Sequence, residues 1–254
     1  MSTALPHDAA GDGPVIVLLH AGVADRRMWA GHLEPLAAAG NRVVAVDLPE
    51  FGEAETGELA PWDAVLETLD ALEIEHAVLV GSSFGGGVAL RAAALAPAKV
   101  SALVLVSARP FDAEPSPRLA AAWSAEEAAL ARGDLDAAVQ AVVEAWTLPD
   151  APPALRDQIA EMQRRAYALQ LDVPEPEVDD PLAGPSDLGR LGELPVLILI
   201  GEHDMPDFSE AAAELAALLP HAERATIPGA GHLAPLEAPE TFRERLLAFL
   251  KRIG

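Results

Sequence analysis

The sequence predicts an α/β domain, a largely parallel sheet with helices on both faces, interrupted by one helical insertion. Three observations carry this. Short β-rich apolar runs alternate with amphipathic helical stretches as far as residue 107, and the alternation resumes at residue 194. The runs are nearly continuously apolar, as strands covered on both faces should be. Between the two blocks, residues 112–183 contain no strand-like run.

Taken in order, "VIVLLH" (15–20), "RVVAVD" (42–47), "AVLVGS" (77–82) and "ALVLVS" (102–107) read as buried strands. Between them, "DRRMWAGHLEPLAAAG", "APWDAVLETLDALEIE" and "GGGVALRAAALAP" have helical spacing of apolar residues, so right-handed crossovers should link parallel strands. The insertion is rich in Ala, Glu, Leu and Arg. It carries "SAEEAALARG", where Ser124 and Glu127 would form a capping box, then "DLDAAVQAVVEAW" and "RDQIAEMQRRAYALQL". A Pro- and acid-rich stretch, "DVPEPEVDDPLAGPSD", closes it. The strands "LPVLILIG" (194–201) and "ERATIP" (223–228) follow, with "SEAAAELAALLP" and "PETFRERLLAFLKRI" as helices. The expected division is therefore a core in two parts, 1–111 and 184–254, around a helical unit at 112–183.

Composition narrows the function classes. Of 254 residues 51% are apolar, enough for a sizeable core. No apolar run reaches the ~20 residues of a membrane helix. A net charge of −23 disfavours nucleic acid and anionic membranes as partners. The absence of cysteine excludes disulfides, thiolate metal sites and a cysteine nucleophile. The N-terminal "MSTALPHDAAGDGP" lacks the basic start and apolar stretch of a secretory signal, so the expected location is the cytoplasm.

Chemistry is concentrated in "VGSSFGG" (80–86). Gly81-Ser82-Ser83-Phe84-Gly85 fits G-x-S-x-G, in which the middle serine sits on a sharp strand-to-helix turn. Glycines flank it because side chains there would strike the neighbouring strand and helix, and the turn lifts the hydroxyl above the sheet at a helix N-terminus. Ser83 is the candidate nucleophile. A serine hydroxyl needs a general base, which an acid orients. His232 lies in "PGAGHLAPLEAPE", a Gly-rich loop between the last strand and the last helix, and is the candidate base. The acid should lie between Ser83 and His232 in chain order. Asp204 in "LILIGEHDMPDF" follows a strand and a turn; Asp207 suits the N-terminus of the next helix better. Two backbone N–H groups must stabilise the oxyanion. Phe84, after the nucleophile, is one candidate, and Gly22 in "LLHAGVADRRMW" is the other, with Val23 as the alternative. His20 ends the preceding strand as a structural histidine.

With these motifs placed, the chain resembles a lidded esterase or enol-lactonase of the α/β-hydrolase fold superfamily. "LLHAG…MW" is similar to its oxyanion loop, "DLPEFG" (47–52) to its Asp-x-x-Gly-x-Gly turn, "GSSFGG" to its nucleophile elbow, "GEHD" to its acid turn and "GAGH" to its histidine loop, all in family order. The resemblance implies that residues 112–183 are a helical cap. Ala21 replaces the usual glycine after His20, and Glu50 departs from the usual residue in the Asp47 turn. Fourteen residues precede the first central strand, so the family's N-terminal hairpin should shrink to one short strand at most, leaving about seven strands rather than eight. A serine at the elbow separates the chain from the dehalogenase and epoxide-hydrolase branches, which use aspartate.

The implied activity is cofactor-free and metal-free cleavage of a small carboxylic ester or lactone through an acyl-enzyme, in a monomer or homodimer. Acyl transfer and carbon–carbon bond hydrolysis use the same triad and stay open, as does a slow-turnover small-molecule receptor. Trp123, Trp146, Tyr167 and Met162 in the insertion, with Met28, Trp29 and Met205 near the mouth, are the candidate walls of an apolar pocket.

Overall fold

The computed structural model describes residues 4–254 except 56, 58, 112, 172–177, 183 and 220. The expected boundary residues of the insertion, 112 and 183, and part of its Pro-rich end therefore lie outside the described residues. Among the described residues the strands form one seven-stranded sheet in the order β1-β3-β2-β4-β5-β6-β7. They are β1 (His7–Ala10), β2 (Val15–Leu19), β3 (Arg42–Val46), β4 (Ala77–Ser82), β5 (Val100–Val106), β6 (Val196–Gly201) and β7 (Ala222–Ile227). All neighbours are parallel except β1, which pairs antiparallel with β3 from His7↔Val46 to Ala10↔Val43. That single short strand stands where the resemblance places a hairpin.

The helices are α1 (Ala30–Ala38), α2 (Pro61–Ala71), α3 (Phe84–Leu95), α4 (Pro117–Ala131), α5 (Leu135–Trp146), α6 (Pro153–Gln170), α7 (Pro206–Leu218), the one-turn α8 (Ala234–Glu237) and α9 (Pro239–Ile253). Strand side chains alternate between two cores, as their period of two requires. Ile16, Leu18, Val43 and Ala45 face one core with Leu36 of α1 and Phe242, Leu246 and Phe249 of α9. Val17, Leu19, Val44 and Val46 face the other with Val65 and Leu69 of α2, Val88 of α3 and Leu215 of α7. Phe242, Leu246 and Phe249 recur at i, i+4 and i+7, one stripe of the last helix.

Helices α4–α6 lie between β5 and β6. The expected Ser124–Glu127 capping box does not form, because Ser124 sits inside α4. The helix starts eight residues earlier, where Ser116 caps it through the Leu119 N–H and Pro117 occupies the first turn. Ser116 is held by Asp207, whose carboxylate accepts from its N–H at 2.7 Å and its hydroxyl at 2.6 Å. Asp207 is thus not the N-cap of α7, a position taken by Met205; from the first turn of α7 it ties the start of α4 to the sheet edge.

On the far side, Arg27 pairs with Glu161 of α6, and Arg165 donates to the Gly52 carbonyl at 2.7 Å. The helical layer is therefore fastened at both flanks of the site described next. No helix of the described residues is long and apolar enough to cross a membrane.

Candidate active site

β4 ends in the turn that carries Ser83. Its backbone has φ +50°, a region costly for a residue with a Cβ. The surroundings enforce it. The Ser83 N–H donates to the Val106 carbonyl at 2.8 Å, and its carbonyl accepts from Gly86 and Gly87 as α3 begins. A Cβ on Gly81 would collide with the Gly85 carbonyl, and one on Gly85 would lie 2.5 Å from the Leu19 and His20 carbonyl oxygens. Only glycines let β2, β4 and α3 approach so closely.

Ser83 occupies the N-cap position of α3 without making a side-chain cap bond, and it faces a cavity of about 730 Å³. Ser82 is instead buried, and its hydroxyl has no protein partner. Of the two adjacent serines, only Ser83 is available to a ligand.

β6 ends at Gly201, packed so tightly on the Gly231 carbonyl that no Cβ would fit. The His203 N–H then donates to the Ala230 carbonyl at 2.8 Å, and the Glu202 carboxylate accepts from the Gly229 N–H at 2.9 Å. These bonds sew the loop after β6 to the loop after β7. Asp204 and His232 meet as a result: Nδ1 of His232 lies 3.1 and 3.3 Å from the two oxygens of the Asp204 carboxylate. The Asp204 side chain is fully buried, and its Oδ1 also accepts from the Met205 N–H at 2.7 Å. With Nδ1–H donating to Asp204, Nε2 is the imidazole's free acceptor.

The ring is clamped between Trp146 of α5 and Phe208 of α7, with centroids 4.6 and 4.3 Å away. Glu237 of α8 supports the loop by accepting from the Gly231 N–H at 2.8 Å and the Leu148 N–H at 3.0 Å. Burial raises the Glu237 carboxyl above its ordinary range, offset in part by these two bonds.

His232 lines the same cavity as Ser83, together with Gly22, Val23 and Phe84. A Cβ on Gly22 would lie 3.4 Å from the Phe84 Cβ, so the two backbones are neighbours. Phe84 opens α3, where the first N–H groups have no partner within the helix. The loop bearing Gly22 is fixed through His20. Its Nδ1 donates to the Ala21 carbonyl at 2.9 Å, and its Nε2 accepts from the Leu48 N–H at 2.9 Å. Burial holds this imidazole below the ordinary histidine pKa, which keeps it neutral and preserves that accepting nitrogen.

The candidate wall residues separate into groups. Trp123 and Trp146 line the cavity, with Leu119 beside them. Met205 lines an adjoining cavity of about 460 Å³, on the other side of His232. Met162 and Tyr167 are buried, and the Tyr167 hydroxyl donates to Glu126 at 2.7 Å.

Met28 and Trp29 require correction, because they belong to the core and not to the pocket mouth. A single-turn 3-10 helix (Arg26–Trp29) rotates both inward. Met28 places its sulfur against the Ala21 N–H at 3.4 Å, and Trp29 packs on His32 and Phe242.

Trp62, Arg91, Arg109, Asp180 and Phe208 also line the cavity and were not anticipated. For Phe208 a signal existed: it sits in the first turn of the helix after the acid loop, beside His232. Arg91 lies two turns along α3 from Ser83, the others come from other helices and loops, and none carries a motif. No cluster of three or more His, Asp or Glu side chains suited to a metal ion occurs among the described residues.

Comparison with known proteins adds four findings. A family model described as the alpha/beta hydrolase fold matches residues 14–239. The chain is similar to the dihydrolipoyllysine-residue acetyltransferase component of the acetoin cleaving system of Pseudomonas putida, 31% identical over 94% of this chain, although the chain spans only 64% of that relative. Carboxylesterase YbfK of Bacillus subtilis is 28% identical over 94% of this chain and 81% of its own. Among solved structures, a thermophilic esterase from Thermogutta terrifontis superposes with a TM-score of 0.76 at 25% identity, covering 98% of this chain and 93% of the other.

Proposed function

Because the chain belongs to the alpha/beta hydrolase fold family, we propose that it is a serine hydrolase that cleaves a small carboxylic ester or lactone through an acyl-enzyme intermediate. The observation that carries this reading is the buried His232–Asp204 pair sharing one cavity with Ser83 in its strained turn. Ser83 Oγ attacks the carbonyl carbon as His232 Nε2 takes its proton. Asp204 holds the Nδ1–H tautomer and stabilises the imidazolium that forms. The oxyanion is received by the N–H groups of Phe84 and Gly22, dipoles already in place before charge develops. His232 then protonates the leaving alkoxide, and a water activated by the same imidazole hydrolyses the acyl-enzyme.

Helices α4–α6 act as the cap. Trp123, Trp146 and Leu119 give the cavity an apolar wall for the part of the substrate beyond the carbonyl. The reaction needs no cofactor, and the enzyme works on small molecules in the cytoplasm.

The test is a panel of acyl esters and lactones of graded chain length, with Ser83→Ala and Ser82→Ala. Ser83→Ala should abolish turnover and labelling by a fluorophosphonate probe, whereas Ser82→Ala should retain most of both. Equal labelling of Ser83→Ala and the wild type would refute the assignment.

A further inference from the structure

Two cavities meet at His232. The one containing Ser83 has about 730 Å³ and the adjoining one about 460 Å³, and among the described residues only Trp146 and His232 line both. These two rings are the partition between them. His232 cannot yield, because its Nδ1 is bound to the buried Asp204 carboxylate and its Nε2 is needed on the Ser83 side. Trp146, the last residue of α5, has no such bond to keep; its ring contacts are His232 at 4.6 Å and Phe208 at 5.9 Å. The indole therefore decides whether the two spaces are one.

The second cavity is a cleft that runs from solvent to the acid–base pair. Arg118, Asp150 and His203 are exposed and stand at its outer end, whereas Trp146, Met205 and His232 are buried and close its inner end. Leu148 and Pro149 also line it, so past the charged rim the cleft offers apolar surface. Nothing in the triad chemistry uses this space.

The reaction fixes which part of a substrate points toward it. His232 Nε2 gives its proton to the leaving oxygen as the bond from that oxygen to the carbonyl carbon breaks. The alcohol departs neutral and the acyl group stays on Ser83 Oγ. The leaving oxygen must come within about 3 Å of Nε2, so the carbons of the alcohol lie against the imidazole and the rings that clamp it. The acyl chain leaves the carbonyl carbon along a different bond and has the rest of the Ser83 cavity. An alcohol of more than a few carbons runs into the indole.

We propose that Trp146 is a specificity-determining residue: its indole closes the leaving-group side of the site, so the substrates are esters of small alcohols, and the cleft behind it is a latent subsite for an aromatic alcohol. The proposal rests on the serine-hydrolase reading and narrows its substrate class on the alcohol side.

The experiment uses butanoate esters of methanol, benzyl alcohol and 2-naphthylmethanol, alcohols of nearly equal acidity, so that leaving-group size varies and its chemistry does not. Methyl esters of butanoic to decanoic acid probe the acyl side. The proteins are wild type, Trp146→Ala, Trp146→Phe, and Trp146→Ala combined with Ala145→Phe, which refills the cleft from another of its walls. The readout is the ratio of kcat/KM between alcohols, in which a general loss from unclamping His232 cancels. In wild type the naphthylmethyl ester should react about tenfold less well than the methyl ester, or worse. Trp146→Ala should raise the naphthylmethyl-to-methyl ratio by roughly 10- to 100-fold, the effect of seating one aromatic group out of water. Trp146→Phe should raise the benzyl-to-methyl ratio by a smaller factor, and the added Ala145→Phe should return the ratio toward wild type. The ranking of methyl esters by acyl length should stay the same throughout.

Unchanged alcohol ratios in Trp146→Ala and Trp146→Phe would overturn the proposal; if Trp146→Ala fails to fold, the benzyl ratio of Trp146→Phe decides. So would a gain confined to long acyl chains, which would place the indole on the acyl side, or a ratio in the double variant as high as in Trp146→Ala. Turnover of lactones alone would sink this inference while leaving the hydrolase reading standing. Turnover of neither esters nor lactones would remove the hydrolase reading itself.

Discussion

Two aspartates three residues apart make opposite predictions. In Asp204→Asn the carboxylate 3.1 Å from His232 Nδ1 becomes an amide that can present NH₂ to that nitrogen. The imidazole is then stabilised with its proton on Nε2, so the nitrogen facing the cavity donates where it must accept. The loss should be on the order of 10³–10⁴ in kcat, or roughly 4–5.5 kcal/mol of transition-state stabilisation, with the fold intact because Asn retains an oxygen for the Met205 N–H.

Asp207→Asn touches another structure. It keeps one oxygen for the Ser116 N–H but loses the charge that binds the Ser116 hydroxyl at 2.6 Å. A single charge-assisted bond of this kind is worth about 1.5–3 kcal/mol, felt as a lower melting temperature and a looser start of α4. At saturating substrate its kcat should fall less than about threefold. Both variants are assayed for kcat on one neutral ester and for thermal unfolding. An Asp207→Asn protein as dead as predicted for Asp204→Asn, at unchanged melting temperature, would assign the acid wrongly here.

The remaining predictions concern stability. His32 is buried between Trp29 and Phe242, and burial pulls its pKa down from 6.5 to about 4, outweighing the bond to the Pro235 carbonyl. The folded state therefore binds a proton less readily than the unfolded chain; the contribution is intact above about pH 6.5 and is lost as pH falls toward 4. Urea unfolding should show about 2 kcal/mol of this loss between pH 7.5 and 5, absent in His32→Gln; equal losses in the two proteins would contradict it. Gly85→Ala should destabilise on the order of 3 kcal/mol, since its Cβ meets two backbone carbonyls at 2.5 Å. Gly31→Ala, where a Cβ meets nothing within 4 Å on helix α1, should instead stabilise by about 0.5–1 kcal/mol; thermal melts check both signs.

The strands were readable because a strand covered on both faces takes mostly apolar residues: every residue of β4 and of β6 is buried, and Ser82 at the end of β4 is the one polar residue in the two runs. The turns after β4 and β6 were readable because tight backbone approach leaves glycine as the only choice, and Gly81, Gly85 and Gly201 mark them; Gly231, after β7, faces the Leu148 and Glu237 side chains instead. Beyond Trp123, Trp146 and Phe208, the cavity walls left no such trace: Trp62 on α2 and Arg91 on α3 converge only when the sheet gathers their helices at one edge. Met28 and Trp29 misled for the converse reason. They adjoin the oxyanion loop in sequence, but a short 3-10 turn sends them into the core. The start of α4 was misplaced although Ser116-Pro117 is a sound N-cap pair; what distinguishes it from Ser124 is a partner 91 residues away.

The chain leaves the sheet after β5 and returns on β6, and those two strands are direct neighbours, with Leu103 beside Val196 and Val106 beside Leu199. Because the two strands are parallel, the chain leaves at Val106, beside Leu199, and returns at Val196, three residues back along the neighbouring strand and roughly 11 Å away. A segment that connects two neighbouring strands can be lengthened, shortened or exchanged without altering any register in the sheet, as in a tolerated domain insertion. Ser83, Asp204 and His232 all lie outside it. On the proposed reading, the helices over the cavity can be rewritten while Ser83, Asp204 and His232 are inherited unchanged, and a chimera carrying a foreign 113–182 segment on this sheet is a natural way to test that division.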